Sequence, residues 1–239
     1  MRKIWLALTS IALAGLVFAA LPARADVPQI TADDRVLGKA DAPVTIIEYF
    51  SFTCPHCADF SERTFGKIKA EWIDTGKAKF VFRDYPLDRN ALKASMVARC
   101  AAPERYSAFV ETLLQQQPQW AVMSDPTPAL RRIALLGGVS SEKFDKCVND
   151  EEMSKSIIAE EFQAKQNYGV DSTPTFFING KKYAGAQPYS EADAKGAEWY
   201  FNTVLQASYD AAKKSGAVRP ATRLALQGAA PSFVSPDRE

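Results

Sequence analysis

The chain has 239 residues, with 29 Lys+Arg against 28 Asp+Glu, one His and a formal net charge of +1. So even a balance offers no strong field for nucleic acid or an acidic membrane surface. The length suits one domain with an insertion.

Residues 1–25 read as a secretion signal. Arg2 and Lys3 form a positive start, 4–21 is almost wholly apolar, and Ala23-Arg24-Ala25 is an A-x-A cleavage site. Cleavage after Ala25 removes Arg2, Lys3 and Arg24, lowering the 29 basic residues to 26 against 28 acidic ones, a net charge of −2. No lipobox cysteine stands at the junction and no second spanning stretch follows. Four cysteines in an exported chain suit an oxidising compartment and permit three pairings. A Cys-x-x-Cys favours Cys54 with Cys57, and hence Cys100 with Cys147.

In chain order, 26–43 is polar, with Arg35-Val36-Leu37 as an edge strand. Residues 44–50 form the first strong strand, apolar on both faces except at Glu48, as in the middle of a helix-covered sheet. From Cys54 to Gly76 a helix carries Cys57, Phe60, Thr64, Ile68 and Trp72 near helical period, with a kink expected at Gly66. Residues 79–82 return as a strand parallel to the first, a right-handed βαβ unit.

Helical pattern then fills 87–167, in segments 90–102, 103–117, 128–136, 141–148 and 151–168. Pro103 and Pro128 stand at helix starts, and Gly137 and Gly169 just past helix ends. Met96, Phe109 and Trp120 are expected in the core. Strand 175–178 runs into Asn179-Gly180, a strong hairpin signal, and 181–183 pairs back. Ser190-x-x-Asp193 reads as a capping box opening a long helix with Tyr200, Val204, Leu205 and Tyr209 on one side. Gly216 ends that helix. The expected division is 1–25 signal, 26–86 and 168–214 the two parts of one α/β domain, 87–167 an inserted all-helical domain, and 215–239 a flexible tail.

The chemistry centres on Cys54-Pro55-His56-Cys57. At a helix start the free N–H groups and the dipole favour a thiolate over a thiol that ordinarily titrates near ~8.5. Pro55 suits the first helical position, where its missing N–H costs nothing. His56, if protonated, adds positive charge beside the sulfur. A c-type haem site needs His directly after the second cysteine, where Ala58 stands, and a zinc site needs two further ligands that distant Cys100 and Cys147 do not supply. An inert disulfide fits poorly at a strand-to-helix junction.

The stretch Phe50-Ser51-Phe52-Thr53-Cys54-Pro55-His56-Cys57, the Thr173-Pro174-Thr175 before the hairpin and the helical insert together resemble the DsbA-like family of periplasmic thiol–disulfide oxidoreductases. The resemblance covers the mature chain to about residue 214. It implies an α/β thioredoxin-like fold with an inserted helical domain. It implies Cys54 as nucleophile, Cys57 as resolving thiol, and a cis Pro174 behind Thr173, whose backbone binds an extended substrate. Glu48 falls where the family keeps a buried acid, and apolar neighbours raise a carboxyl pKa. Cys100 and Cys147 are expected to form a structural disulfide. A second redox pair that tunes the first, as in some branches of the family, stays open.

The reading is an exported, monomeric disulfide oxidase, periplasmic in location and needing no metal or cofactor. Its substrates are reduced secreted proteins, and a DsbB-like membrane quinone oxidoreductase reoxidises it. An isomerase or reductase could use the same residues, and the threonine before Pro174 keeps the direction of exchange open. A periplasmic holdase or metal-binding module on a thioredoxin scaffold is the rival outside this chemistry.

Overall fold

A computed structural model describes residues 27–217; the expected signal segment and nearly all of the expected tail lie outside them. A five-stranded sheet has the order β1-β3-β2-β4-β5, comprising β1 (Val36–Leu37), β2 (Val44–Phe50), β3 (Ala78–Asp84), β4 (Thr175–Ile178) and β5 (Lys181–Ala184). Only β2 and β3 pair in parallel, Ile46 opposite Phe80 and Glu48 opposite Phe82; the other three pairings are antiparallel. The chain therefore crosses over between β2 and β3, and turns back tightly between β4 and β5. There Asn179 and Gly180 take left-handed φ values of 46° and 83°, and the Asn179 carboxamide accepts the Thr45 N–H at 2.7 Å.

Because β2 is central, both of its faces are buried. Val44, Ile46 and Phe50 join the larger core with Phe60, Phe65, Phe80, Phe82, Phe176 and Phe201. Ile47 and Tyr49 face the other way and pack with Val81, Tyr85, Ala164 and Phe177 in a smaller core. Alternation puts Glu48 on the side of the larger core, where the cysteines also lie.

One continuous helix makes the crossover. It starts as α1 (Pro55–Phe60), widens into π turns at Ser61–Phe65, returns as α2 (Gly66–Ile68) and widens again at Lys69–Ile73. Gly66 keeps helical angles (φ −56°, ψ −38°), so the departure from a plain α-helix lies in the wide turns beside it rather than in a kink at the glycine.

Between β3 and β4 stand α3 (Arg89–Arg99), α4 (Tyr106–Gln115), α5 (Thr127–Leu136), α6 (Ser141–Val148) and α7 (Glu151–Tyr168). The fold is thus thioredoxin-like with an inserted helical domain. Asp88, Ser140 and Asp150 cap α3, α6 and α7, each accepting a backbone N–H with its side chain. Pro103 opens only a short 3₁₀ turn before α4. Met96, Phe109 and Trp120 are buried. Arg99 fastens the insert to the sheet, bonding Asp84 of β3 at 2.8 Å and the Glu160 carboxylate through two nitrogens. Among the described residues no helix is long and apolar enough to cross a membrane.

One helix start differs from expectation. The helix expected to open at Ser190 begins only at α8 (Phe201–Lys214). Ser190 and Asp193 do bond, the serine N–H and hydroxyl both donating to Asp193 Oδ2 at 3.0 and 2.7 Å. These bonds close a local turn that Lys67 holds from α2. Gly196 then takes φ 79°, outside the helical region, before Trp199 and Phe201 pack edge-to-face at 4.7 Å.

Candidate active site

Cys54 sits in extended geometry (φ −77°, ψ 119°) at the N-cap of α1, and Pro55 occupies the first turn. The strand β2 delivers the chain here, and the turn closes through the Cys54 N–H donating to the Ser51 carbonyl at 3.1 Å. Both thiols are free and buried. Cys57 is fully enclosed one turn into the helix, and Cys54 is 4% exposed. The Thr173–Pro174 peptide is cis, and the Cys54 thiol lies 3.3 Å from the Thr173 carbonyl. Residues 119 positions apart in sequence thus meet at one sulfur.

The electrostatics divide the two thiols. Cys54 is held at about 5, chiefly by a hydrogen bond from the Cys57 thiol. Burial pulls upward, while the Thr173 side chain and the N–H groups of Cys57 and His56 pull further down. The Thr173 hydroxyl is buried and has no hydrogen-bond partner among the described residues. Cys57 is pushed well above an ordinary thiol by burial first, then by its bond to Cys54 and the charge of Glu48. Glu48 is 1% exposed, its Oε1 has no partner among the described residues, and burial with the Cys54 charge raises its pKa well above a normal carboxyl. His56 is exposed, one residue after Pro55 in the first turn of α1. The arrangement thus sets a thiol that ionises readily beside a second thiol and a carboxyl that burial drives toward their neutral forms.

Cys100, just past α3, and Cys147 in α6 are disulfide-bonded, with Cα atoms 6.4 Å apart. Both lie in the insert and border the same larger core as Cys54 and Cys57. Three further residues near the cysteines were not singled out from sequence. Thr53 donates to the Asp88 carboxylate at 2.6 Å. Ser51 Oγ accepts the Leu87 N–H at 3.3 Å. Gln117 donates from its side chain to the carbonyls of Phe52 and Cys54. Asp88 carried a faint signal, an aspartate just before a helical run; Gln117, one of three consecutive glutamines, carried none.

The thioredoxin family model matches residues 31–195. The crystal structure of Wolbachia pipientis alpha-DsbA1 superimposes with a TM-score of 0.70 at 32% identity, over 78% of this chain and 96% of that one. The chain belongs to the thioredoxin family, in its DsbA-like branch. Disulfide bond formation protein D of Bacillus subtilis is 31% identical over 170 residues, 65% of this DsbA-like chain and 72% of that protein. A Rickettsia bellii protein named as a protein-disulfide oxidoreductase is 35% identical over 153 residues, 64% of this chain. The match spans 59% of that Rickettsia protein's length.

Proposed function

We propose that this DsbA-like chain is an exported thiol–disulfide oxidase that acts as a monomer on newly secreted proteins. The observation that carries the reading is the Cys54 sulfur at a helix N-cap, beside Thr173, with its pKa held at about 5. A stabilised thiolate favours the reduced enzyme, which makes the disulfide form a strong oxidant.

In the forward reaction a substrate thiolate attacks Cys54 Sγ of the closed Cys54–Cys57 bond. The sulfur–sulfur bond breaks toward Cys57, and a mixed disulfide forms on Cys54 against the Thr173–Pro174 loop. Cys57, whose thiolate burial disfavours, takes a proton, and in this reading the buried Glu48 carboxyl, whose pKa is raised, donates it. The substrate's second thiolate then attacks its own bridged sulfur and releases Cys54 as a thiolate. The substrate loses two electrons and the enzyme gains them. A DsbB-like membrane quinone oxidoreductase removes them and restores the bond, in the periplasm.

The test is the reduction potential of the Cys54–Cys57 pair in the mature protein, equilibrated against glutathione with Cys100 and Cys147 intact. A potential near the ~−120 mV of DsbA is expected, whereas one near the ~−270 mV of thioredoxin replaces the oxidase with a reductase. In parallel, Cys57→Ser is expected to accumulate mixed disulfides on Cys54. A Cys54→Ser protein that still oxidises a reduced substrate refutes the site.

A further inference from the structure

Gln117 belongs to the helical insert, yet both hydrogens of its amide go to the cysteine turn. Its Nε2 donates to the Phe52 carbonyl at 2.8 Å and to the Cys54 carbonyl at 3.0 Å, one hydrogen for each acceptor. The residue is 7% exposed, so water does not compete for these bonds. The Cys54 carbonyl also accepts the first bonds of α1, from the N–H groups of Cys57 (3.1 Å) and Ala58 (3.2 Å). The Phe52 carbonyl has no other donor among the described residues.

Gln117 is itself held rigidly. It opens a 3₁₀ turn, Gln117–Gln119, just after α4, and its own carbonyl accepts the N–H groups of Trp120 (3.1 Å) and Ala121 (2.9 Å). Trp120 is fully buried, with its indole N–H on the Leu113 carbonyl at 3.1 Å. The amide is therefore preorganised before the turn it grips.

The two gripped carbonyls stand on either side of Thr53. We propose that Gln117 is a positioning residue for thiol exchange: by clamping the Phe52–Thr53 and Cys54–Pro55 peptide units, it fixes the N-cap conformation that keeps the Cys54 sulfur at the N-terminus of α1. This rests on the reading of Cys54 as the exchanging thiol. Without the amide, the Phe52 carbonyl is left unpaired, and the turn relaxes toward a partner at the expense of that placement. The insert then does more than cover the cysteines, because it sets their reactivity from a second domain.

The experiment titrates the Cys54 thiolate in the reduced mature protein, by its ultraviolet absorbance and by the pH dependence of alkylation. The variants are Gln117→Met, which keeps the length of the side chain, and Gln117→Glu, which replaces the donors by acceptors facing two carbonyls. Leu130→Ala, in the buried face of α5, is the control that loosens the insert without touching the turn. The expected result is a midpoint raised by about one pH unit in Gln117→Met, a tenfold change in the protonation equilibrium, and a larger rise in Gln117→Glu. Leu130→Ala is expected to lower Tm and leave the midpoint in place. A Gln117→Met protein that loses Tm as the control does, with an unmoved midpoint, overturns the proposal. Should that variant fail to fold, Gln117→Glu decides by the same criterion. If Cys54 in the unsubstituted protein already titrates as an ordinary thiol, the failure lies with the reading of the site and not with Gln117.

Discussion

Replacing Glu48 by glutamine tests the buried acid through a slope. Glu48 is enclosed in β2 with an orphaned carboxyl oxygen and stays protonated well above the ordinary carboxyl range, for which desolvation is the leading cause. In the unfolded chain the same group ionises at about its normal value, near ~4.3. Between those two values the folded state holds one more proton than the unfolded state. Folding stability therefore falls as pH rises, by up to about 1.4 kcal/mol per pH unit. Glu48→Gln removes that dependence. The difference in unfolding free energy, variant minus parent, is thus expected to grow as pH rises above the ordinary carboxyl range, by up to about 1.4 kcal/mol per pH unit. Denaturant unfolding of both proteins at several pH values measures it. The Cys54–Cys57 bond is kept closed, so that neither thiol titrates and desolvation alone acts on the acid. A difference that stays flat with pH means that Glu48 is ionised in the folded protein, and the proton assigned to Cys57 must then come from elsewhere.

Two further outcomes follow from the cysteines. The alkylation rate of Cys54 in the reduced protein is expected to fall only as pH drops through about 5. The same depression stabilises the reduced fold at high pH, an effect lost as pH falls through that value; a midpoint between 8 and 9 refutes it. Replacing both Cys100 and Cys147 by serine opens a loop of 47 residues and is expected to cost about 4 kcal/mol in the chain-entropy model. If the active-site potential moves as well, the pair is a redox partner and not only a brace.

Much of this was legible in the chain because its causes are local. The β2 run is apolar on both faces, Asn179-Gly180 suits left-handed backbone, and a Cys-x-x-Cys needs only a strand before it and a helix after it. The capping signature at Ser190 misled because a serine and an aspartate three apart satisfy each other in a turn as readily as at a helix start. The wide turns of the crossover helix left no mark, since Cys57, Phe60, Thr64, Ile68 and Trp72 also fit a plain α-helix. Asp88 and Gln117 were hidden for another reason: their partners lie 35 and more than 60 residues away. A hydrogen bond between distant segments has no period and no motif.

The wide turns also constrain how this protein can change. Each π turn accommodates one residue more than an α-helical turn would, and the surplus lets Phe60 and Phe65, then Ile68 and Ile73, face inward at intervals of five. An α-helix advances about 100° per residue. Deleting one residue from either turn would thus rotate everything beyond it by about 100°, swinging Trp72 away from the Tyr189 hydroxyl that it bonds at 3.0 Å. Single substitutions along this helix can be absorbed one at a time, whereas a change of length cannot. In a lineage of such chains, the count of residues from Cys57 to Trp72 should drift far more slowly than their identities.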